Sequence, residues 1–269
     1  MKRMSPSRGH DALPDTVKLA GLTFATGQLP QVVDRTIALA DDPAGNLVVT
    51  PNVDFLVRAR RQPAFQDLLE SAALCVADGA PVSWLASRTS GVPVTRIAGV
   101  DLFEALCERA VAENLTISIV GGQPGLAEEA MTALRARYGE FRTGIVSAPT
   151  ADQVHDPEYH RACATMLARH DRNIVAICLG SPKQEQFYVD LMEVDGVTPR
   201  GAFLGLGATV DFLAGRVPRA PRLVQRLGAE WLYRWLREPR RLAKRYLTDL
   251  AHFPIIVVAE TRRARGGSR

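Results

Sequence analysis

Short apolar runs alternate with amphipathic stretches along most of this chain. Val17–Phe24, Asn46–Thr50, Leu74–Ala77, Thr116–Val120, Ile174–Leu179 and Ala202–Leu206 are brief and mostly apolar, many of them β-branched, as buried strands are. Between them lie segments of helical period. Leu29–Asp41 places Val32, Val33, Ile37 and Leu39 inward, and Phe55–Ser71 carries Phe55, Leu56, Phe65, Leu68 and Leu69, with Pro63 as a break or a second helix start. Helices are also expected over Pro81–Thr89, up to about Asn114 with Asp101 as its cap, over Leu126–Tyr138, and from Glu185 onward. Strands alternating with helices predict an α/β fold with a doubly wound, mostly parallel sheet.

In such a Rossmann-like sheet ligands bind at the carboxyl ends of the strands. Three glycine-bearing turns, 121–125, 180–184 and 207–209, then gather on one edge. Their glycines, Gly121, Gly122 and Gly207 among them, let backbone amides approach a phosphate, and a helix amino terminus adds about half a positive charge. Thr50 and Asn52 flank Pro51 where a strand ends; they can bind a ligand or cap the next helix. Asp78 follows an apolar strand and precedes Gly79, which suits a strand-end acid or a turn former. The 121–125 turn is not GxGxxG, and no GxxxxGK[ST] is present, so a dinucleotide dehydrogenase and a P-loop nucleotidase are disfavoured. A nucleotide diphosphate is the simplest ligand.

After Gly215 the pattern changes. Arginine recurs at 216, 219, 222, 226, 234, 237, 240, 241 and 245, and helices over Trp231–Arg237 and Pro239–Leu247 would set Arg234, Arg237, Arg241 and Arg245 beside Trp231, Trp235 and Tyr246. The net charge of +4 over 269 residues is concentrated there, which argues for a local anionic partner. Arginine forks suit diphosphate or lipid phosphate, and the aromatics suit a headgroup interface. The expected organisation is a mobile arm at 1–15, an α/β body at 16–225 and a basic, aromatic helical appendage at 226–269. No apolar stretch in 1–14 suits a signal peptide and no run reaches the ~20 residues of a membrane span, so contact with a membrane would be peripheral. Cys75, Cys107, Cys163 and Cys178 read as buried free thiols, and His155 and His160 as surface residues.

The ordered blocks TPNVDF at Thr50, ADG at Ala77, RIAGVDL at Arg96, GGQPG at Gly121, GSPKQEQ at Gly180, GLGATVDFLAG, RVPRAP, GAEWLYRWLREPRR and KRY span most of the chain. Together they resemble the WecG/TagA/CpsF family of bacterial glycosyltransferases, glycosyltransferase family 26. Leu223 stands where that family often has Trp, and Ala229 where it usually has Leu.

The resemblance implies an inverting transfer of a sugar from a UDP-sugar to a polyprenyl-diphosphate-linked saccharide, in cell-surface or exopolysaccharide synthesis. It implies Asp78 as the base, Thr50 and Asn52 positioning the sugar, and Arg96 near the diphosphate or acceptor. Gln184 can bond the nucleotide or sugar or satisfy local amides, and Asp211 can contact the nucleotide or cap a helix. Arg234, Arg237, Arg241 and Arg245 are expected to meet the acceptor or an anionic membrane surface at the cytoplasmic face of the plasma membrane. No DxD pair or acid–histidine cluster is present, so no metal and no other cofactor is expected. A homo-oligomer is compatible with the reading, and nucleic acid is not an expected partner. The competing classes are a nucleic-acid-binding module using the arginine ridge and a nucleotide-dependent oxidoreductase.

Overall fold

The computed structural model describes residues 15–221, 223–224, 230–237 and 239–266, without the side chains of 231, 234, 241 and 244. The expected arm at 1–15 lies outside them except for its last residue. The chain opens with β1 (Thr16–Leu19) and β2 (Leu22–Ala25), an antiparallel hairpin in place of the single strand expected. Ala20 and Gly21 take φ of 51° and 87°, the left-handed pair that a two-residue hairpin turn requires.

Next come α1 (Leu29–Asp41), β3 (Gly45–Val49), α2 (Val53–Arg61), α3 (Pro63–Glu70), β4 (Leu74–Cys75), α4 (Ala80–Ser90) and α5 (Gly99–Glu113). Pro63 begins a second helix because its ring suits the first turn and no interior position. Ala98 holds the N-cap of α5, so Asp101 falls inside the first turn instead of capping it. Then follow β5 (Thr116–Gly121), α6 (Leu126–Tyr138), β6 (Arg142–Ser147), α7 (Pro157–Ala168), β7 (Asn173–Cys178), α8 (Lys183–Met192), β8 (Gly201–Gly205), α9 (Thr209–Leu213), α10 (Glu230–Arg237) and α11 (Pro239–Gly266). β6 and α7 were not expected: β6 lies at the sheet edge and is mostly half-exposed, so it lacks an apolar run. His160, expected at the surface, is buried in α7, bonded to the Val154 carbonyl at 2.9 Å and edge-on to Phe187. All four cysteines are buried free thiols.

Six strands pair in parallel in the order β4-β3-β8-β7-β5-β6. Alternate residues face opposite layers. Val48, Leu204, Ala176 and Ile119 pack with α1, α5 and α6, whereas Leu47, Val49, Phe203 and Ile177 face the layers built by the hairpin, α2, α3 and α4 and by α7 and α8.

The C-terminal helix is part of that packing. α11 lies against α2 and α4. Its Ile256, 2% exposed, joins the cluster of Phe55, Leu56 and Leu85, and Glu260 accepts a hydrogen bond from Ala20 N at 3.1 Å. We expect Ile256→Ala to lower the stability of the whole chain by about 2–4 kcal/mol in urea unfolding. A helix merely resting on the body would leave the midpoint unmoved.

Candidate active site

The carboxyl ends of β3, β4 and β8 form the floor of a cavity of about 350 Å³, within the usual range for small-molecule sites. β3 and β8 are neighbours, but the chain leaves β3 for α2 and β8 for α9, which packs on α6 and α5. A crevice opens between strands whose connections diverge. The amino end of α5 enters it. A Cβ at Gly99 would lie 2.8 Å from Leu206 Cδ2 and 3.2 Å from Thr50 Oγ1, so a side chain there would require the Leu206 side chain to move. The helix's own bonding starts with Leu102 N to Ala98 O at 3.1 Å, leaving the amides of 99–101 at the positive end of the helix.

Thr50, Asn52, Asp78 and Arg96 all line this cavity, as the sequence reading required of a common site. Asn52 also caps α2, accepting from Phe55 N at 3.4 Å. Asp78 N donates to Pro51 O at 3.0 Å and Ile97 N to Ala77 O at 3.0 Å, which sets the β3 end on one side of Asp78 and the Arg96 loop on the other. Gly79, at φ +96°, turns the chain into α4 directly after the acid, a conformation that side chains resist.

Two guanidiniums face the mouth of α5. Arg96 Nη1 bonds Glu230 Oε2 at 2.8 Å, and Arg219 Nη1 bonds Asp101 Oδ1 at 2.6 Å with Glu230 3.8 Å away. Burial opposes the charge of Arg219, but the bond to Asp101 and the fields of Glu230 and Glu104 outweigh it and hold its pKa above the ordinary value. Its Nη2 is buried without a hydrogen-bond partner among the described residues.

The remaining wall comes from α10 and α11: Tyr233, Arg245, Tyr246, Asp249, Leu250 and Phe253. Arg245, expected at a membrane or acceptor surface, therefore lines the cavity. Its Nε is buried without a hydrogen-bond partner among the described residues. Asp249 is 8% exposed and its Oδ1 likewise has no partner. Burial, then the neighbouring charge of Asp54, push its carboxyl up to about 6 against the opposing pull of Arg245, Arg58 and His252. Arg58 ties this region to the sheet, bonding Asp54 at 2.9 Å and Ser181 Oγ at 3.1 Å.

The other expected residues whose side chains are described lie outside the cavity lining. Gln184 is buried; its Oε1 accepts from Gly207 N at 2.8 Å and its Nε2 donates to Glu185 at 2.7 Å, so it braces the β8 turn. Gly121 packs so closely on β7 that a Cβ would meet the Cys178 carbonyl at 2.5 Å, and Gly122 lies against Val210 and Leu126. The carbonyl of Asp211 accepts from Arg216 N and Val217 N at 3.0 and 3.1 Å. Arg237 is exposed and stacks on Tyr233, 5.2 Å from its ring centre. The side chains of Arg234 and Arg241 fall outside the described residues. Arg219, Glu230, Asp54 and Asp249 were not singled out as site residues. The RAP block contained Arg219, and Asp249 is an acid four residues from Arg245 in an otherwise basic stretch, but neither pattern says which way the side chain turns. Among the described residues, no three His, Cys, Asp or Glu side chains group to hold a metal ion.

A parallel sheet whose strand ends meet a helix amino terminus, three arginines and four carboxylates in one cavity defines an α/β protein with a charged strand-end pocket. Residues 17–267 match the Glycosyl transferase WecG/TagA/CpsF family, and the chain belongs to it. It is thus a glycosyltransferase of cell-surface polymer synthesis, a class that takes a sugar-nucleotide donor and a lipid-linked acceptor. No described helix is long and apolar enough to cross a membrane.

Asp249 gives the site a stability cost with a definite sign. Its folded pKa is raised from 3.8 to about 6, so the fold favours the protonated acid; that contribution is full below about pH 4 and is lost as pH rises through 6. Asp249→Asn, neutral throughout, should be more stable than the parent at pH 7.5 by about 1–2 kcal/mol, allowing for screening by water in the cavity. Thermal unfolding at several pH values checks this, and the gain should vanish near pH 4.

Proposed function

We propose that the cavity binds a UDP-sugar beside the saccharide of a polyprenyl-diphosphate-linked acceptor and transfers the sugar with inversion. Asp78 takes the proton from the acceptor hydroxyl as its oxygen bonds to the anomeric carbon. The bond from that carbon to the diphosphate breaks, and UDP departs with the electron pair. Arg96, Arg219 and the α5 amides offset the charge that develops on the diphosphate, in the place where a metal ion serves other transferases. Thr50 and Asn52 hold the donor sugar against Asp78. The observation that carries this reading is the shared cavity: a strand-end carboxylate, two arginines and a helix amino terminus face one space.

Glu230 fits the same scheme. Its carboxylate bonds Arg96 and lies within 3.8 Å of Arg219, as a diphosphate oxygen would. A bound diphosphate takes over part of that pairing, so the arginines change partner without ever being left uncompensated.

The acceptor's lipid implies docking at an anionic cytoplasmic membrane face. Of the expected aromatic face, Tyr246 lines the cavity and the side chain of Trp231 lies outside the described residues, while Leu232, Leu236 and Leu247 are exposed apolar side chains on the same two helices as the exposed Arg237 and Arg240. Leucines beside arginines support shallow insertion with phosphate contact.

Asp78→Asn keeps the shape of the acid and removes the proton acceptor. UDP release should fall ~10²–10⁴-fold while UDP affinity changes little; near-normal turnover would move the base elsewhere. Turnover should also survive a chelator, and loss of activity restored by magnesium or manganese would overturn the metal-free scheme.

Leu236→Gln with Leu247→Gln should weaken sedimentation with phosphatidylglycerol vesicles but spare turnover of a short-chain, water-soluble acceptor. Equal loss of both would place these leucines in folding instead.

A further inference from the structure

We propose that Arg245 and Asp249, one turn apart on α11, form a subsite for a saccharide hydroxyl, and that Asp249 selects which sugar the enzyme accepts. The inference rests on the glycosyltransferase reading above and adds a residue that reads the sugar itself.

Four residues apart on a helix, an arginine and an aspartate are placed to bond each other. These two do not. Among the described residues no ion pair joins them: Arg245 leaves its buried Nε without a hydrogen-bond partner and lies over the Tyr246 ring, 5.2 Å from its centre, while Asp249 leaves Oδ1 without one. Both residues line the cavity. A buried donor and a buried acceptor left open one helical turn apart are costly unless a ligand satisfies them.

The chemistry of that ligand is narrow. A phosphate would satisfy Arg245 but would be repelled by Asp249 and its neighbour Asp54. A cation would satisfy Asp249 but not Arg245. A hydroxyl both donates and accepts, so one hydroxyl or a vicinal pair on a sugar ring satisfies both atoms. Tyr233, Tyr246 and Phe253 line the same wall, and aromatic side chains suit the C–H surface of a sugar ring. Asp249 carries its charge into the site only above about pH 6, under the influence of Asp54 and Arg58 from α2 and of Arg245 and His252 from its own helix.

The hydroxyl can belong to the donor sugar or to the acceptor saccharide. The test is steady-state UDP release by the full chain, varying the UDP-sugar and a short-chain polyprenyl-diphosphate-linked acceptor separately, for the parent, Asp249→Asn and Asp249→Ala. We expect KM for one of the two sugar-bearing substrates to rise ~10–100-fold in both variants, with kcat and the affinity for UDP alone changed less than about threefold. A donor KM that moves assigns the hydroxyl to the donor, and an acceptor KM to the acceptor. The ranking of donors across a panel of UDP-sugars should flatten if the hydroxyl is the donor's, and the rise of KM below about pH 6 should be lost in Asp249→Asn. Unchanged KM for both substrates in variants that still bind UDP would overturn the subsite and leave the transferase standing. No UDP release by the parent from any UDP-sugar would overturn the transferase reading and the subsite with it.

Discussion

The parallel pairing of β3 with β8 is the constraint on which the site depends. It brings Thr50 and Leu206 side by side at strand ends whose chains then diverge, and divergence leaves a crevice that neither connection fills. Gly99 lets α5 drop its amino end between them. A methyl group there would crowd Leu206 and Thr50 at the strand ends, against which the unbonded amides are held. The electrostatic character of the cavity therefore depends on how closely α5 packs on the ends of β3 and β8.

The cationic side of the cavity is arranged to stay compensated. Arg96 and Arg219 are largely removed from water, and each is bonded to a carboxylate, Glu230 or Asp101. A buried guanidinium without such a partner would be strongly destabilising. Because α10 supplies Glu230, the helix that closes the cavity also neutralises it. Closure and charge balance are the same contact.

The acidic wall is compensated less well. Asp249 sits among Asp54, Arg58, Arg245 and His252 yet leaves an oxygen open, and its raised pKa records the strain of burying that charge. α11 can bear this because its far end is fixed independently, by Ile256 in the core and Glu260 at the hairpin turn. Local cost beside a cavity and secure packing beyond it is the pattern expected where a helix serves a ligand as well as the fold.

The sequence by itself determined the class of the fold and much of the floor of the site. Apolar runs too short for helices, separated by stretches of helical period, leave few architectures besides a parallel sheet between helices, and polar residues placed where those runs end must lie at the ligand edge. Thr50, Asn52 and Asp78 were legible for that reason, since strand direction alone positions them. β6 was not, because an edge strand carries no apolar run to read. Only the tertiary structure decided the roof. Whether Arg245, Tyr246 and Asp249 face solvent, a membrane or the cavity depends on how α11 is rotated about its axis, and that rotation is set by Ile256 and Glu260, which meet residues two hundred or more positions away: Phe55 and Leu56 of α2 and Ala20 of the hairpin. Helical periodicity defines which side chains share a face; it carries no information about what that face will meet.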